Sequence, residues 1–131
     1  MKKLLILLFS ILISFNSYGK WTNLIESEGN NFYIDIDLIK AHGGYVYWWQ
    51  MIDYLKPFKT GTLSNKAYQQ GDCGIDRKKV LSIIFYNQPM GRGAGDPFTP
   101  PDEWQYPTPG SNGAAMLEYV CGCVAKNYQG C

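Results

Sequence analysis

The residues that could do chemistry in this sequence are few and widely separated. A nucleophilic site of the Cys–His type would have to use His42, the single histidine of the chain, and leave a cysteine without a disulfide partner. A nucleophile also needs a base within hydrogen-bond reach and a third group that orients the base. No Ser, His and Asp residues follow in an order typical of such a triad. We therefore interpret His42 as a solvated surface residue and predict that the protein is not an enzyme.

Two carboxylates, Asp35 and Asp37, could form an acid–base pair because alternate residues of a strand project to the same side. The alternative is structural, with Asp35 ending a strand and Asp37 capping a helical turn over residues 38–41. The structural interpretation is favoured, since like charges on one side of a strand repel each other unless a cation lies between them.

The glycine-rich run Gly91-Arg92-Gly93-Ala94-Gly95 could cradle a phosphate. A P-loop, however, continues with Gly-Lys-Ser/Thr and a helix, whereas this run continues with Asp96 and Pro97. Glycine is also the residue that positive φ angles select in tight turns. The run therefore predicts a turn between strands.

All four cysteines lie within residues 20–131. The only close pair is Cys121 and Cys123, which does not match the ligand spacing of zinc sites, and His42 is far away in sequence. We expect no metal and no cofactor. An even number of cysteines in an exported domain predicts two disulfides, for which three connectivities exist.

Residues 1–19 are predicted to be a secretory signal peptide, followed by one domain over residues 20–131. Lys2 and Lys3 precede an apolar run over residues 4–15, and Ser17 and Gly19 occupy the −3 and −1 positions of a cleavage site. A retained membrane anchor is the alternative, but a spanning helix needs about 20 apolar residues. No cysteine lies near the cut, and no later segment resembles a membrane span. We expect a periplasmic, secreted or cell-surface protein that is not a lipoprotein.

Alternating, β-branched and aromatic residues predict strands over residues 21–27, 32–36, 45–55, 60–70 and 77–86. Ser111 is suited to begin a helix as its N-cap, after a loop over residues 98–110 that four prolines keep extended. The predicted fold class is α+β, an antiparallel sheet of five or six strands with one C-terminal helix tethered by a disulfide to one side of the sheet.

The predicted helix also favours one disulfide connectivity. Cys121 falls on its apolar side with Ala114, Leu117, Val120 and Val124, and so points at the sheet. Cys123 lies about 200° further around the helix and points elsewhere. The expected disulfides are therefore Cys73–Cys121 and Cys123–Cys131.

The strand over residues 45–55 is the most suggestive stretch for binding. Alternation places Trp48 on one side of the sheet and Tyr47 and Trp49 on the other. The side that the helix leaves free is either buried under the proline-rich loop or exposed as a binding patch. The candidate binding residues are Tyr47, Trp49, Lys66, Arg77 and Lys79. If Trp49 lay under the helix, Trp48 would take its place.

Short motifs spread over nearly all of residues 20–131 carry a family resemblance. They are Phe32-Tyr33-Ile34-Asp35, Val46-Tyr47-Trp48, Asp53-Tyr54, Pro57, Ser64, Lys66, Tyr68, Asp72-Cys73, Met90-Gly91, Gly93, Trp104, Pro109-Gly110-Ser111 and Cys121. In this order they resemble the surface-adhesin protein E family of small exported Gram-negative bacterial proteins. The resemblance implies an antiparallel sheet with a disulfide-held C-terminal helix.

The resemblance also implies a binding module that contacts host extracellular-matrix proteins. The alternative is a periplasmic structural or envelope-assembly protein that binds a bacterial partner. A nucleic-acid partner is not expected, because the basic residues are scattered apart from residues 77–79, whereas nucleic-acid binders usually carry a dense basic face.

Overall fold

The computed structural model describes residues 20–131. The predicted signal peptide over residues 1–19 lies outside the described residues. The strands are β1 (Trp21–Ser27), β2 (Asn30–Asp35), β3 (Lys40–His42), β4 (Tyr45–Tyr54), β5 (Ser64–Asp72), β6 (Arg77–Tyr86) and β7 (Asp96–Phe98), and the helix is α1 (Asn112–Ala125).

All seven strands form one antiparallel sheet in the order β1-β2-β4-β5-β6-β7, and β3 pairs with the first residues of β4. The predicted fold class is confirmed. The sheet has more strands than the predicted five or six, because β3 and β7 have three residues each. Three residues are too few for a period-two pattern to be recognised. Strand β6, apolar on both sides, lies between β5 and β7 as expected.

The cap predicted at Asp37 is wrong by two residues, because the N-cap is Asp35. A 3-10 turn spans Ile36–Leu38, and Asp35 is its N-cap, with Oδ1 of Asp35 accepting a hydrogen bond of 3.2 Å from the backbone N–H of Asp37. Of the residues predicted to form the helical turn, Lys40 and Ala41 belong instead to β3, because pairing with β4 satisfies their backbone groups.

The strand predicted over residues 60–70 begins later, at Ser64, and extends to Asp72. Before it, a 3-10 turn spans Lys59–Gly61 with Thr60 at a φ of 68°. A positive φ cannot be part of a strand ladder, so the polar composition that suggested an early start belongs to a turn.

The hydrophobic core lies between α1 and the sheet. Trp48 of β4 is fully buried and its Nε1 donates a hydrogen bond of 3.1 Å to Oε1 of Gln50. The other buried members of this cluster are Ile34, Ile39, Val46, Met116, Leu117, Val120 and Cys123. Gly71 allows the helix to approach, since a Cβ there would lie 2.6 Å from Cδ1 of Leu117.

Both predicted disulfides, Cys73–Cys121 and Cys123–Cys131, are present. The reasoning from helical faces was nevertheless wrong, because Cys123 is buried in the core at 3% exposure and Cys121 is only half-buried. The buried stripe of α1 runs through Met116, Val120 and Cys123. Cys131 folds back against this core, so it meets the cysteine that faces inward.

Candidate protein-binding face

The side of the sheet opposite α1, called the aromatic face below, carries a cluster of rings at its centre. Trp49 of β4 and Tyr68 of β5 are cross-strand partners with ring centroids 5.0 Å apart. Tyr47, two residues before Trp49, stacks on Tyr68 with centroids 6.1 Å apart. These three residues, the aromatic triad, are half-buried. Period-two alternation in β4 therefore placed Tyr47 and Trp49 correctly, with Trp48 under the helix.

The aromatic triad has a polar rim. The phenol oxygen of Tyr47 accepts a hydrogen bond of 3.1 Å from Nε2 of Gln70. Protein interfaces favour tyrosine and tryptophan side chains whose polar group is held by a hydrogen bond. Such side chains bury a large area and lose few rotamers on binding. The triad is a surface of this kind.

The proline-rich loop covers one end of the aromatic face. Trp104 stands 5.6 Å from the ring of Tyr45 and lies over two cations, 4.0 Å from Cζ of Arg77 and 4.5 Å from Nζ of Lys79. Reciprocal backbone hydrogen bonds of 2.9 and 2.7 Å between Lys78 and Gln105 hold this segment along β6. Within residues 20–131, the ring contacts of Trp104 stop at Tyr45 and do not reach the triad.

Two of the three candidate cations are already paired within the chain. Nε of Arg77 lies 3.0 Å from Oδ2 of Asp72, and Nζ of Lys79 lies 2.8 Å from Oδ1 of Asp102. Together with Trp104, these contacts occupy both side chains. Their role in binding stays a prediction, and it would require a partner to share charges that are already neutralised.

Lys66, the third candidate cation, lies across the aromatic face. Its Nζ stands 5.7 Å from the centroid of Trp21 and 5.2 Å from that of Tyr86. Its stem is confined by Gly91, where a Cβ would lie 2.4 Å from Cε of Lys66 and 3.3 Å from Sδ of the buried Met51. The stem of Lys66 therefore packs beside Met51, and its ammonium lies near the rings of Trp21 and Tyr86.

The turn that confines Lys66 is fixed to the sheet by hydrogen bonds. The N–H of Met90 donates to Oδ1 of Asp53 at 2.8 Å, and the N–H of Gly91 donates to Oγ of Ser64 at 2.8 Å. The Ser64 hydroxyl in turn donates to the carbonyl of Gln88 at 2.6 Å. Motifs that are far apart in sequence thus meet in one cluster beside Lys66.

Sequence reasoning did not name Tyr68 or Trp104 as candidate binding residues of this face. Tyr68 could have been found, because alternation along β5 places it on the same side as Lys66. Trp104 gave no such signal, since the loop around it has no periodicity and its position depends on pairing with β6.

A groove of about 480 Å³ lies on the other side of the molecule, between the proline-rich loop and the start of α1. Its charged lining residues are Asp76 and Glu118. In the part of the chain that the structure describes, no three potential metal ligands cluster, and no helix is long and apolar enough to cross a membrane.

The family assignment follows from comparison of the whole chain. A model of the family described as surface-adhesin protein E matches residues 21–122. The chain belongs to this family. The match covers the seven strands and most of α1, and it ends before Cys123, so the Cys123–Cys131 disulfide lies beyond the matched residues. No curated protein matches the chain significantly in sequence.

Solved structures of Haemophilus influenzae protein E share the fold of this member of the surface-adhesin protein E family. One crystal form is 17% identical, covers 82% of this chain and 88% of that chain, and superposes with a TM-score of 0.63. A second structure, also 17% identical, covers 81% and 86% with a TM-score of 0.60. The protein from a non-typeable strain is 15% identical, covers 85% and 90%, and has a TM-score of 0.57.

Proposed function

We propose that this protein is an exported, non-enzymatic binding module that contacts a protein partner through the aromatic face, in the manner of an adhesin. The observation that carries this proposal is the half-buried aromatic triad, which lies on the side of the sheet away from α1 and, among the described residues, makes no ring contact with Trp104. Tryptophan and tyrosine dominate the energetics of protein interfaces when they lie near the centre of the contact.

Membership of the surface-adhesin protein E family supports a protein partner, and we propose that this partner is a host extracellular-matrix protein. The candidate chemical groups support the non-enzymatic part of the proposal. His42 is exposed on β3, and the Asp35 carboxylate is used as a helix cap.

Binding of the purified protein to an immobilised basement-membrane extract tests the proposal. Trp49→Ala should weaken binding by about 2 kcal/mol or more, roughly thirtyfold, because it removes a ring from the centre of the patch. Tyr128→Ala is the matched control, since this tyrosine is exposed and follows α1 on the other side of the molecule. Circular dichroism should show both variants folded.

Equal binding by Trp49→Ala and the parent protein would contradict the use of this face. Unfolding of Trp49→Ala would instead identify Trp49 as a core residue; Tyr47→Ala, at the edge of the triad, would then decide whether this face binds. Fractionation of the native cells separates the adhesin proposal from the periplasmic alternative, because only a protein found in the outer membrane or the medium can reach a host partner.

A further inference from the structure

Two ammonium groups on the aromatic face, those of Lys40 and Lys66, form no ion pair with a carboxylate among residues 20–131. Lys40 is the register partner of Tyr47, so both project from the same side of the sheet, and Lys40 is exposed. Lys66 is the register partner of Met51, one step along the strands from the Trp49–Tyr68 pair. The ion pairs within residues 20–131 are Lys20–Asp37, Arg77–Asp72 and Lys79–Asp102.

An acidic group on this face, Asp53, holds the turn beside Lys66 and forms no ion pair with it among the described residues. Asp53 lies one step further along β4, and its Oδ1 accepts the hydrogen bond from Met90 that holds the turn. The turn in turn confines the stem of Lys66 through Gly91. The ammonium is therefore held in place before any ligand arrives, which lowers the entropic cost of binding an anion there.

The two lysines flank the aromatic triad at opposite ends. Their register partners Tyr47 and Met51 are four residues apart on β4, which corresponds to about 13 Å along the strand. Lys40 and Lys66 lie on β3 and β5, on opposite edges of β4, so their backbones are also about 10 Å apart across the strands, or about 16 Å in all. Acidic residues four positions apart on an extended peptide lie about 13 Å apart and project to the same side as the residue midway between them. On a peptide that crosses the strands diagonally, the lysine and aspartate side chains are long enough to bridge the remaining distance.

We propose that the aromatic face binds an extended acidic segment of the partner protein, with one apolar side chain on the triad and carboxylates at Lys66 and Lys40. This inference rests on the proposed function and names the chemistry of the partner. Charge complementarity of this kind gives specificity and speeds association. The contact between carboxylate and Lys66 is the stronger of the two, because Lys40 is exposed and screened by solvent.

A peptide of five residues tests the proposal directly. It carries aspartate at positions 1 and 5, phenylalanine at position 3 and serine between them, with both ends capped. The control peptide has asparagine in place of each aspartate. Titration of the isotope-labelled protein, followed by NMR, should shift the signals of the Trp49 indole, Tyr68 and the Lys66 side chain. The asparagine peptide should bind at least fivefold more weakly, and binding of the aspartate peptide should weaken as salt is raised.

Variants of the lysines assign the charges. Lys66→Gln should reduce affinity for the aspartate peptide at least fivefold, and Lys40→Gln should reduce it less. Lys126→Gln, at the end of α1 on the other side of the molecule, should leave affinity unchanged. All three variants should retain the circular-dichroism spectrum of the parent, since only exposed or half-buried groups are replaced.

Three results would overturn the inference. These are equal binding of the two peptides, no signal shifts at millimolar peptide, or unchanged affinity in Lys66→Gln. Shifts of the same Lys66 signals by inorganic phosphate, with an affinity as high as that of the peptide, would reveal a general anion site and would also overturn it. The proposed function fails separately, through unchanged matrix binding of Trp49→Ala, so the two failures are distinguishable.

Discussion

Trp104 lies on the guanidinium of Arg77, with Cζ of Arg77 4.0 Å from the centroid of the indole. Asp72 holds the same guanidinium from within the sheet through its Oδ2, 3.0 Å from Nε of Arg77. Tryptophan is the most favourable ring for a cation–π contact, and arginine is the more frequent cation. A loop with four prolines is thus attached to β6 by the ring of Trp104, the Lys79–Asp102 ion pair and one pair of backbone bonds between Lys78 and Gln105.

Replacing Trp104 should therefore loosen the proline-rich loop. We expect Trp104→Ala to lower the free energy of unfolding by about 1–3 kcal/mol, because it removes the contacts to Tyr45, Arg77 and Lys79. Limited proteolysis should cut the variant within residues 99–110 faster than the parent. Ile75→Ala removes an apolar side chain that is exposed in the nearby turn and should change neither measurement.

The close approach of α1 to β5 makes a prediction about Gly71. A Cβ at this position would lie 2.6 Å from Cδ1 of Leu117 and 2.9 Å from atoms of both Trp48 and Val46. Gly71→Ala should destabilise the fold by about 1–3 kcal/mol, as expected for an overpacked core, measured by urea denaturation.

Gly74→Ala is the control for Gly71. A Cβ at Gly74 would make only an ordinary contact of 3.5 Å with Oδ1 of Asp72. The free energy of unfolding of Gly74→Ala should stay within about 0.5 kcal/mol of that of the parent protein. Similar destabilisation of both variants would mean that chain flexibility, and not the helix contact, decides the cost.

The two disulfides should contribute unequally to stability. Cys73–Cys121 links residues 48 positions apart and Cys123–Cys131 links residues 8 positions apart. The chain-entropy model gives about 4 kcal/mol for the first and about 2.5 kcal/mol for the second. Urea denaturation should show a larger loss in the free energy of unfolding when Cys73 and Cys121 are both replaced by serine than when Cys123 and Cys131 are. A larger loss for Cys123→Ser with Cys131→Ser would indicate that burial of Cys123 in the core outweighs loop length.

Lys78 provides a pH-dependent test. Burial lowers the pKa of its ammonium from the ordinary value of 10.5, although Nζ donates a hydrogen bond of 2.7 Å to Oε1 of Gln69. NMR of its ε-carbon should give a pKa below 10.5 in the folded protein and the ordinary value in urea.

The lowered pKa of Lys78 also determines how the stability of the protein changes with pH. The folded protein holds this proton less tightly than the unfolded chain, so stability should rise as pH increases from the lowered pKa towards 10.5. Lys78→Met should abolish this part of the pH dependence. A pKa at or above 10.5 in the folded state would contradict the effect of burial.

The parts of the fold that follow from local pattern could be predicted from the sequence. Alternation in β4 placed Trp48 and Trp49 on opposite sides, and Ser111 marked the start of α1 correctly, with its Oγ accepting from the N–H of Ala114. The rotation of α1 about its own axis could not be predicted. It depends on the fit of Leu117 against Gly71, and it brought Cys123 rather than Cys121 into the core.

The candidate site was predicted less completely, for a related reason. Which cations remain unpaired depends on contacts between distant segments. Asp102 reaches Lys79 only because the proline-rich loop returns along β6, and Lys40 joins the aromatic face only because β3 pairs with β4. No spacing in the sequence carries that information.

Both disulfides end on α1, and the core lies between α1 and the sheet. The side chains of the triad and its rim therefore project from the opposite surface of strands whose inner surface is already fixed. The protein can therefore serve as a scaffold for the display of variable side chains. Positions 47, 49, 68 and 70 can be randomised together in a library, with the cross-linked layer unchanged, to select variants that recognise ligands of quite different shape and charge.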